Sequence, residues 1–144
     1  YKNEEATQAA VVDGWYRTGD LVEQDEDGYF WIVGRVKDMI RTGGEYVAPA
    51  EVDVVLMRHP SVADVGVAGV PDADWGEIVT AFVVLRPGES VDVEELRRHC
   101  AGTLAAHKHP RRLVLVERIP RTGATGQVQR RRLIEIAQSS SEPA

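Results

Sequence analysis

Four short stretches of this 144-residue chain have residue types suited to holding a phosphorylated ligand. In Tyr16-Arg17-Thr18-Gly19-Asp20 a carboxylate follows a glycine; an ionised Asp offers acceptors only, which suits ligand hydroxyls as well as the capping of a strand end. In Gly43-Gly44 the backbone is free to take φ > 0, or to let a ligand approach where a Cβ would block it, although an isolated pair reads as an ordinary tight turn. Lys108-His109-Pro110-Arg111 sets two cations beside a proline-fixed bend, a workable phosphate clamp. The glycine-rich segment from Pro120 to Arg130 follows. Charge is distributed to match: residues 1–96 hold 7 Lys and Arg against 20 Asp and Glu, residues 97–144 hold 10 against 3, and the net is −6. A basic end on an acidic chain argues against general nucleic-acid binding and suits a local anion site; a merely solvated basic face would give the same count.

The elements that must position these residues follow from periodicity. Leu21-Val22 and Tyr29 to Val33 flank the acidic turn Gln24 to Gly28 and predict a hairpin between Gly14 and Gly34. Two strands bury no core, so this hairpin must lean on something else. Arg35 to Asp38 is a short charged connector. Pro49 opens a helix to about Met57, with Val52, Val55 and Leu56 at helical spacing. Val62 to Val70 and Ile78 to Leu85 predict buried strands, joined through the turn Pro71 to Asp74. A helix carries Val93, Leu96, Cys100 and Leu104 on one face, Leu113 to Val116 is a third short strand, and Val128 to Ile136 is a last amphipathic segment. Residues 1–10 read as a frayed lead-in.

With 43% hydrophobic residues, a chain of this length supports one modest core. No apolar run is long enough to span a membrane and no leader pattern opens the chain, so a cytoplasmic location is expected. The single Cys100 makes no internal disulfide and reads as a small core residue; no metal site is expected.

Taken together and in order, the motifs resemble the C-terminal domain of the adenylate-forming enzymes, the superfamily of acyl-CoA synthetases, peptide-synthetase adenylation domains and firefly luciferase. The resemblance runs from about Gly14 to Leu133. Tyr16 to Asp20 matches the family's YRTGD, Gly34 to Val52 its hinge and glycine-rich turn, Trp75-Gly76-Glu77 its WGE, and Lys108 to Arg111 its F-K-x-P-K/R, with His107 where an aromatic residue is frequent. It implies an α+β lid domain, with a mixed central sheet of about three strands flanked by helices and a preceding β-hairpin. The implied layout is 1–34 as the last hairpin of a large N-terminal domain that the chain lacks, 35–38 as hinge, 39–138 as lid and 139–144 as a disordered tail. It further implies that Asp20 and Arg35 meet ATP or AMP, that Lys37 is the residue whose backbone rotation swings the lid, and that Gly43, Gly44, Glu45, Trp75, Gly76, Lys108 and Arg111 meet coenzyme A.

Pro120-Arg121-Thr122-Gly123-Ala124-Thr125-Gly126-Gln127 resembles the closing motif P-x-T-x-x-G-K with one extra residue, and Gln127 stands at the position of the catalytic lysine. Glutamine donates a hydrogen bond but brings no charge. Either the lysine was replaced in an altered variant, or another cation, Arg121 or one of Arg130 to Arg132, takes part of its role, or adenylation is lost and binding or thioester formation kept. The activity implied is an AMP-forming acid–thiol ligase, carboxylate plus ATP giving acyl-AMP and then the CoA thioester. Mg²⁺ is implied for ATP with no ligand in this chain, and the fragment alone is expected to be inactive. The polar end SSSEPA leads us to expect free CoA rather than a fused carrier protein as acceptor; transfer to a carrier protein and a non-catalytic binding module are the alternatives.

Overall fold

Buried β-branched residues set the architecture. The computed structural model describes residues 3–139, and the chain divides into two compact units, Tyr1–Lys37 and Asp38–Ala144.

The first unit is a short helix and two hairpins. The lead-in expected to fray forms helix α1 (Glu4–Ala10); Ala, Glu and Gln are good helix formers, and Glu4 and Glu5 favour its positive N-terminal end. Strands β1 (Val11–Val12) and β2 (Trp15–Tyr16) pair antiparallel across Asp13-Gly14, both at positive φ. Strands β3 (Asp20–Gln24) and β4 (Phe30–Arg35) form the expected hairpin, paired from Asp20 opposite Arg35 to Gln24 opposite Phe30 with a register shift between Leu21 and Val22. Its turn is organised by Asp25, whose carboxylate accepts from the N–H groups of Asp27 and Tyr29 and from the Trp31 indole. That indole bond, with the backbone donors, holds the Asp25 carboxyl below its ordinary value. Trp15, Tyr29, Phe30, Trp31 and Ile32 remain exposed.

The second unit is built on a five-stranded mixed sheet, so the α+β class expected from the sequence is the class found, with two strands more than the three expected. Strands β5 (Ile40–Thr42) and β6 (Glu45–Val47) flank Gly43-Gly44; three residues each is too few for an alternation to declare itself. Helix α2 (Pro49–Leu56) follows, then β7 (Val62–Asp72), β8 (Gly76–Leu85), α3 (Val93–Cys100), β9 (Arg112–Leu115) and α4 (Arg130–Ser139). The strand order is β6-β5-β8-β7, with β9 joined parallel to β8. β7 and β8 pair antiparallel from Val62 opposite Leu85 to Asp72 opposite Gly76.

Alternation along the paired strands feeds two cores, because successive side chains leave opposite faces. Val65, Val67, Val79, Ala81 and Val83 pack with Val52 and Leu56 of α2 and Leu96 and Cys100 of α3. Ala68, Val70 and Phe82 pack with Ile119 and with Leu133 and Ala137 of α4. Asp92 caps α3 by accepting from the Glu95 N–H. Cys100 is buried as expected, and burial pushes its thiol up. The last helix starts at Arg130 rather than Val128, since Val128 bridges Arg121 and the Gln129 N–H donates to the Pro120 carbonyl. Of the tail expected over 139–144, Ser139 ends α4 and 140–144 lie outside the described residues. No helix among the described residues is long and apolar enough to cross a membrane.

Gly66 marks where α4 seats on the sheet. A Cβ there would lie 2.9 Å from Leu133 Cδ1, 3.1 Å from Val128 Cγ1 and 3.2 Å from Ile119 Cγ2. Gly66→Val is expected to destabilise the second unit by about 1–3 kcal/mol through overpacking. Urea unfolding measures this, and an unchanged midpoint would mean that α4 packs less closely than the geometry indicates.

Candidate functional site

The glycine turn is held on one side by tryptophan. Gly43 and Gly44 sit at φ 57° and 87°, the left-handed region that a side chain disfavours. The Gly43 N–H donates to the Trp75 carbonyl at 3.0 Å. A Cβ on Gly43 would fall 2.8 Å from the Trp75 ring, whereas one on Gly44 would meet nothing within 4 Å. Gly43 is thus required by packing and Gly44 opens to solvent. Gly76 stands opposite Thr42, and the Thr42 hydroxyl is buried without a hydrogen-bond partner among the described residues.

The Arg111 guanidinium stacks on the same indole, with its carbon 3.7 Å from the ring centroid. A stacked guanidinium keeps its N–H groups available at the edge, which suits a planar or anionic partner. Gly43, Gly76, Trp75 and Arg111 therefore converge. Lys108 lies apart in partnership: its ammonium bonds Glu51 of α2 at 2.7 Å. Glu45 is exposed and opposes Thr42 in the hairpin. Glu77, the last residue of the Trp75-Gly76-Glu77 motif, accepts the Arg41 N–H at 2.7 Å and so braces the same hairpin.

In the first unit, Asp20 and Arg35 face each other at the open end of the β3–β4 hairpin, 3.1 Å apart. Thr18, Gly19, Arg35, Val36 and Lys37 line a shallow hollow of ≈ 320 Å³. Lys37 is exposed within a 3₁₀ turn, Val36–Asp38, that crosses the boundary between the two units.

The closing segment forms a self-bonded loop. Arg121 bridges Val128, the Thr122 N–H donates to the Gln127 carbonyl at 2.9 Å, and the Gln127 N–H donates to the Thr122 hydroxyl at 3.1 Å. Gln127 is exposed. Three of the four nearby arginines form ion pairs with carboxylates, Arg121 with Asp64 at 2.6 Å, Arg130 with Asp53 at 2.7 Å and Arg131 with Glu135 at 3.6 Å, and Arg132 is in none of these pairs. Asp53 is the residue that sequence reasoning missed. It lies 77 residues from its partner, a separation that leaves no local pattern.

With this geometry in view, comparison with known proteins assigns the chain. Residues 51–125 match the model of the AMP-binding enzyme C-terminal domain. The chain belongs to that family. It is 44% identical over 138 residues to the sulfoacetate–CoA ligase of Cupriavidus necator, covering 95% of this chain and 27% of the relative. Among solved structures it is similar to the o-succinylbenzoate CoA synthetase of Bacillus subtilis in complex with its acyl-adenylate intermediate, at TM-score 0.83 and 38% identity over 92% of this chain and 27% of that one. The ATP-bound MatB of Rhodopseudomonas palustris superposes at TM-score 0.86 with 37% identity, over 99% of this chain and 28% of that one. The chain spans about a quarter of the length of the curated relatives it matches.

Burial pushes the Asp53 carboxyl above its ordinary 3.8, against the pull of Arg130 and of the Val67 N–H. A raised carboxyl means that the folded chain holds this proton more tightly than the unfolded chain. The contribution is then fully present below 3.8 and is lost as pH rises through the folded value. Asp53→Asn, which carries no charge at any pH, is expected to flatten the stability–pH slope just above 3.8 and to cost more stability relative to the parent below that range than at neutral pH. Denaturant titrations across that range check both signs.

Proposed function

We propose that this chain is the C-terminal lid of an ATP-dependent acyl- or aryl-CoA ligase, working with a large N-terminal domain and inactive by itself. The observation that carries the reading is the convergence of the Gly43-Gly44 turn, Trp75 and Arg111. Gly44 leaves open space where a Cβ would stand. These features fit a slender amide-bearing arm such as the pantetheine of CoA, with the Arg111 edge suited to its phosphates. Coenzyme A would supply the thiol that accepts the acyl group. The residues of this chain would line its path and exclude water from the thioester.

Asp20 and Arg35 fit a nucleotide in a different way. Arg35 engages one Asp20 oxygen and leaves the other as an acceptor for ribose hydroxyls. Mg²⁺ would accompany ATP and draw its ligands from outside this chain.

The adenylating loop is where the chain departs from its family's pattern. A fixed lysine there would meet negative charge building on the carboxylate and α-phosphate. Gln127 cannot, and Arg121 and Arg130 are already committed to Asp64 and Asp53. The thioester-forming half of the site is therefore better supported than the adenylating half. Gln127 is also what favours the second reading, a binding module that kept the fold.

One substitution separates these readings. In the intact enzyme Gln127→Lys is expected to raise ATP–pyrophosphate exchange by about 10²–10³-fold, with thioester formation from supplied acyl-adenylate little changed. A folded variant with unchanged exchange and no thioester formation would make the binding module the better account. The hinge has its own test: Lys37→Pro fixes φ and removes an N–H, so thioester formation is expected to be lost with exchange largely retained. Equal loss of both steps would remove the hinge role from Lys37.

A further inference from the structure

β7 is an edge strand of the five-stranded sheet, and an edge leaves outward N–H and C=O groups in need of partners. At Val67 one ion pair takes both. The Val67 N–H donates to Asp53 Oδ1 at 2.7 Å, Arg130 Nη1 donates to the Val67 carbonyl, and Arg130 Nη2 meets Asp53 Oδ2 at 2.7 Å. The cycle is closed and dry, the two side chains being only 13% and 17% exposed. Arg130 directly follows the loop that presents Gln127, at the first residue of α4.

The other leg of that loop is tied to the same strand. Arg121 Nη2 bonds Asp64 Oδ1 at 2.6 Å, and Arg121 Nη1 donates to the Gly126 carbonyl at 3.0 Å. This pair is 40% and 34% exposed, so water screens it and it restrains little. Among the described residues the loop's other polar bonds run within it, joining Arg121 to Val128, Thr122 to Gln127 and Pro120 to Gln129, except that the Gln129 carbonyl accepts from the Arg132 and Leu133 N–H groups of α4. Internal bonds keep the loop's shape but do not fix where the loop points. Ile119 and Val128 seat the base of the loop against Gly66 through apolar contacts, which are non-directional, and the buried ion pair at Arg130 is the directional tie at that base.

We propose that Arg130 is a positioning residue for adenylation: clasping Asp53 and Val67, it fixes the direction in which the loop presents residue 127. The inference rests on the ligase reading above and goes beyond it, since the arginine acts through the backbone of β7 and never through contact with the nucleotide. Its charge is already spent on Asp53, so it is no substitute for the missing lysine. Lysine would not replace it either, because a single ammonium does not span the carboxylate and the carbonyl as a planar fork does.

The test uses the intact enzyme in the Gln127→Lys background, where exchange is read readily. Arg130→Met is expected to lower ATP–pyrophosphate exchange by about 100-fold, the scale of a misplacement of about 1 Å. Thioester formation from supplied acyl-adenylate should stay near the parent rate. Because Arg130→Met strands Asp53 and lowers stability, the double variant Asp53→Leu/Arg130→Met is measured beside it. Replacing a buried pair by apolar residues commonly restores stability, so its melting temperature should recover while exchange stays low. Backbone N–H order parameters at Gly126 and Gln127 should fall in both variants, because the loop tilts with its internal bonds intact, and stay unchanged at Thr80 and Val83. Recovery of pyrophosphate exchange together with melting temperature, or parallel loss of both half-reactions, would overturn the proposal. If the Gln127→Lys parent shows no pyrophosphate exchange, the adenylation reading itself fails; the order parameters then decide the clasp, and unchanged values at Gly126 and Gln127 overturn it.

Discussion

The second unit depends on the antiparallel pairing of β7 with β8, continuous but for one shift near Val62. The register decides which residues leave each face. Val65 and Val67 turn toward α2 and α3, while Ala68 and Val70 turn toward α4. A slip by one residue would send each set to the opposite face, so the buried valines hold the register as firmly as the backbone bonds do. Everything that bears on chemistry hangs from this pair. β8 begins at Gly76 beside the glycine turn, and β7 supplies the edge against which the closing loop is tied.

Much of this was legible because it is written in short-range pattern. The runs 62–70 and 78–85 declared two buried strands, Pro49 and the spacing of Val52, Val55 and Leu56 declared a helix, and both appear, each strand extended by a residue or two toward the turn that joins them. The Gly14 to Gly34 hairpin was equally plain, since its turn chemistry lies within a few residues of itself. Motif order identified the family, and the convergence of Gly43, Gly76, Trp75 and Arg111 follows from β5 meeting β8 at Thr42 and Gly76.

What was not legible is long-range. β5 and β6 are too short to show a period, and their pairing is stabilised by Glu77, 36 residues beyond Arg41. The basic end of the chain gave the same ambiguity in charge. Counted along the sequence, Lys108, Arg121 and Arg130 look like cations available to an anion. In the fold each has found a carboxylate from the acidic part, namely Glu51, Asp64 and Asp53. These three pairs bring cations of the basic end back to the acidic part, whereas Arg111, stacked on Trp75, has no such carboxylate partner among the described residues. Burial decides which of those pairs matter: the exposed ones cost little to break, whereas the one at Val67 leaves two buried charges and two backbone groups without partners.

Topology also bears on how one lid could serve two steps. The order β6-β5-β8-β7 puts the glycine hairpin at one end of the sheet and the strand that anchors the closing loop at the other. A rigid sheet carrying one element at each edge presents only one of them at a time to a fixed partner surface. Use of both edges in one reaction sequence therefore requires reorientation as a body, about a connector short enough to keep each edge in reach. The 3₁₀ turn Val36–Asp38 lies at the division between the two units, where the proposed pivot would act. Selection acts separately on elements that work at different steps. A change at the closing loop, such as Gln127 with its extra loop residue, leaves the Gly43, Trp75 and Arg111 edge unaltered, because no side-chain bond joins the two edges among the described residues. Physical separation across the sheet is what allows one half of the proposed chemistry to diverge while the other keeps its geometry.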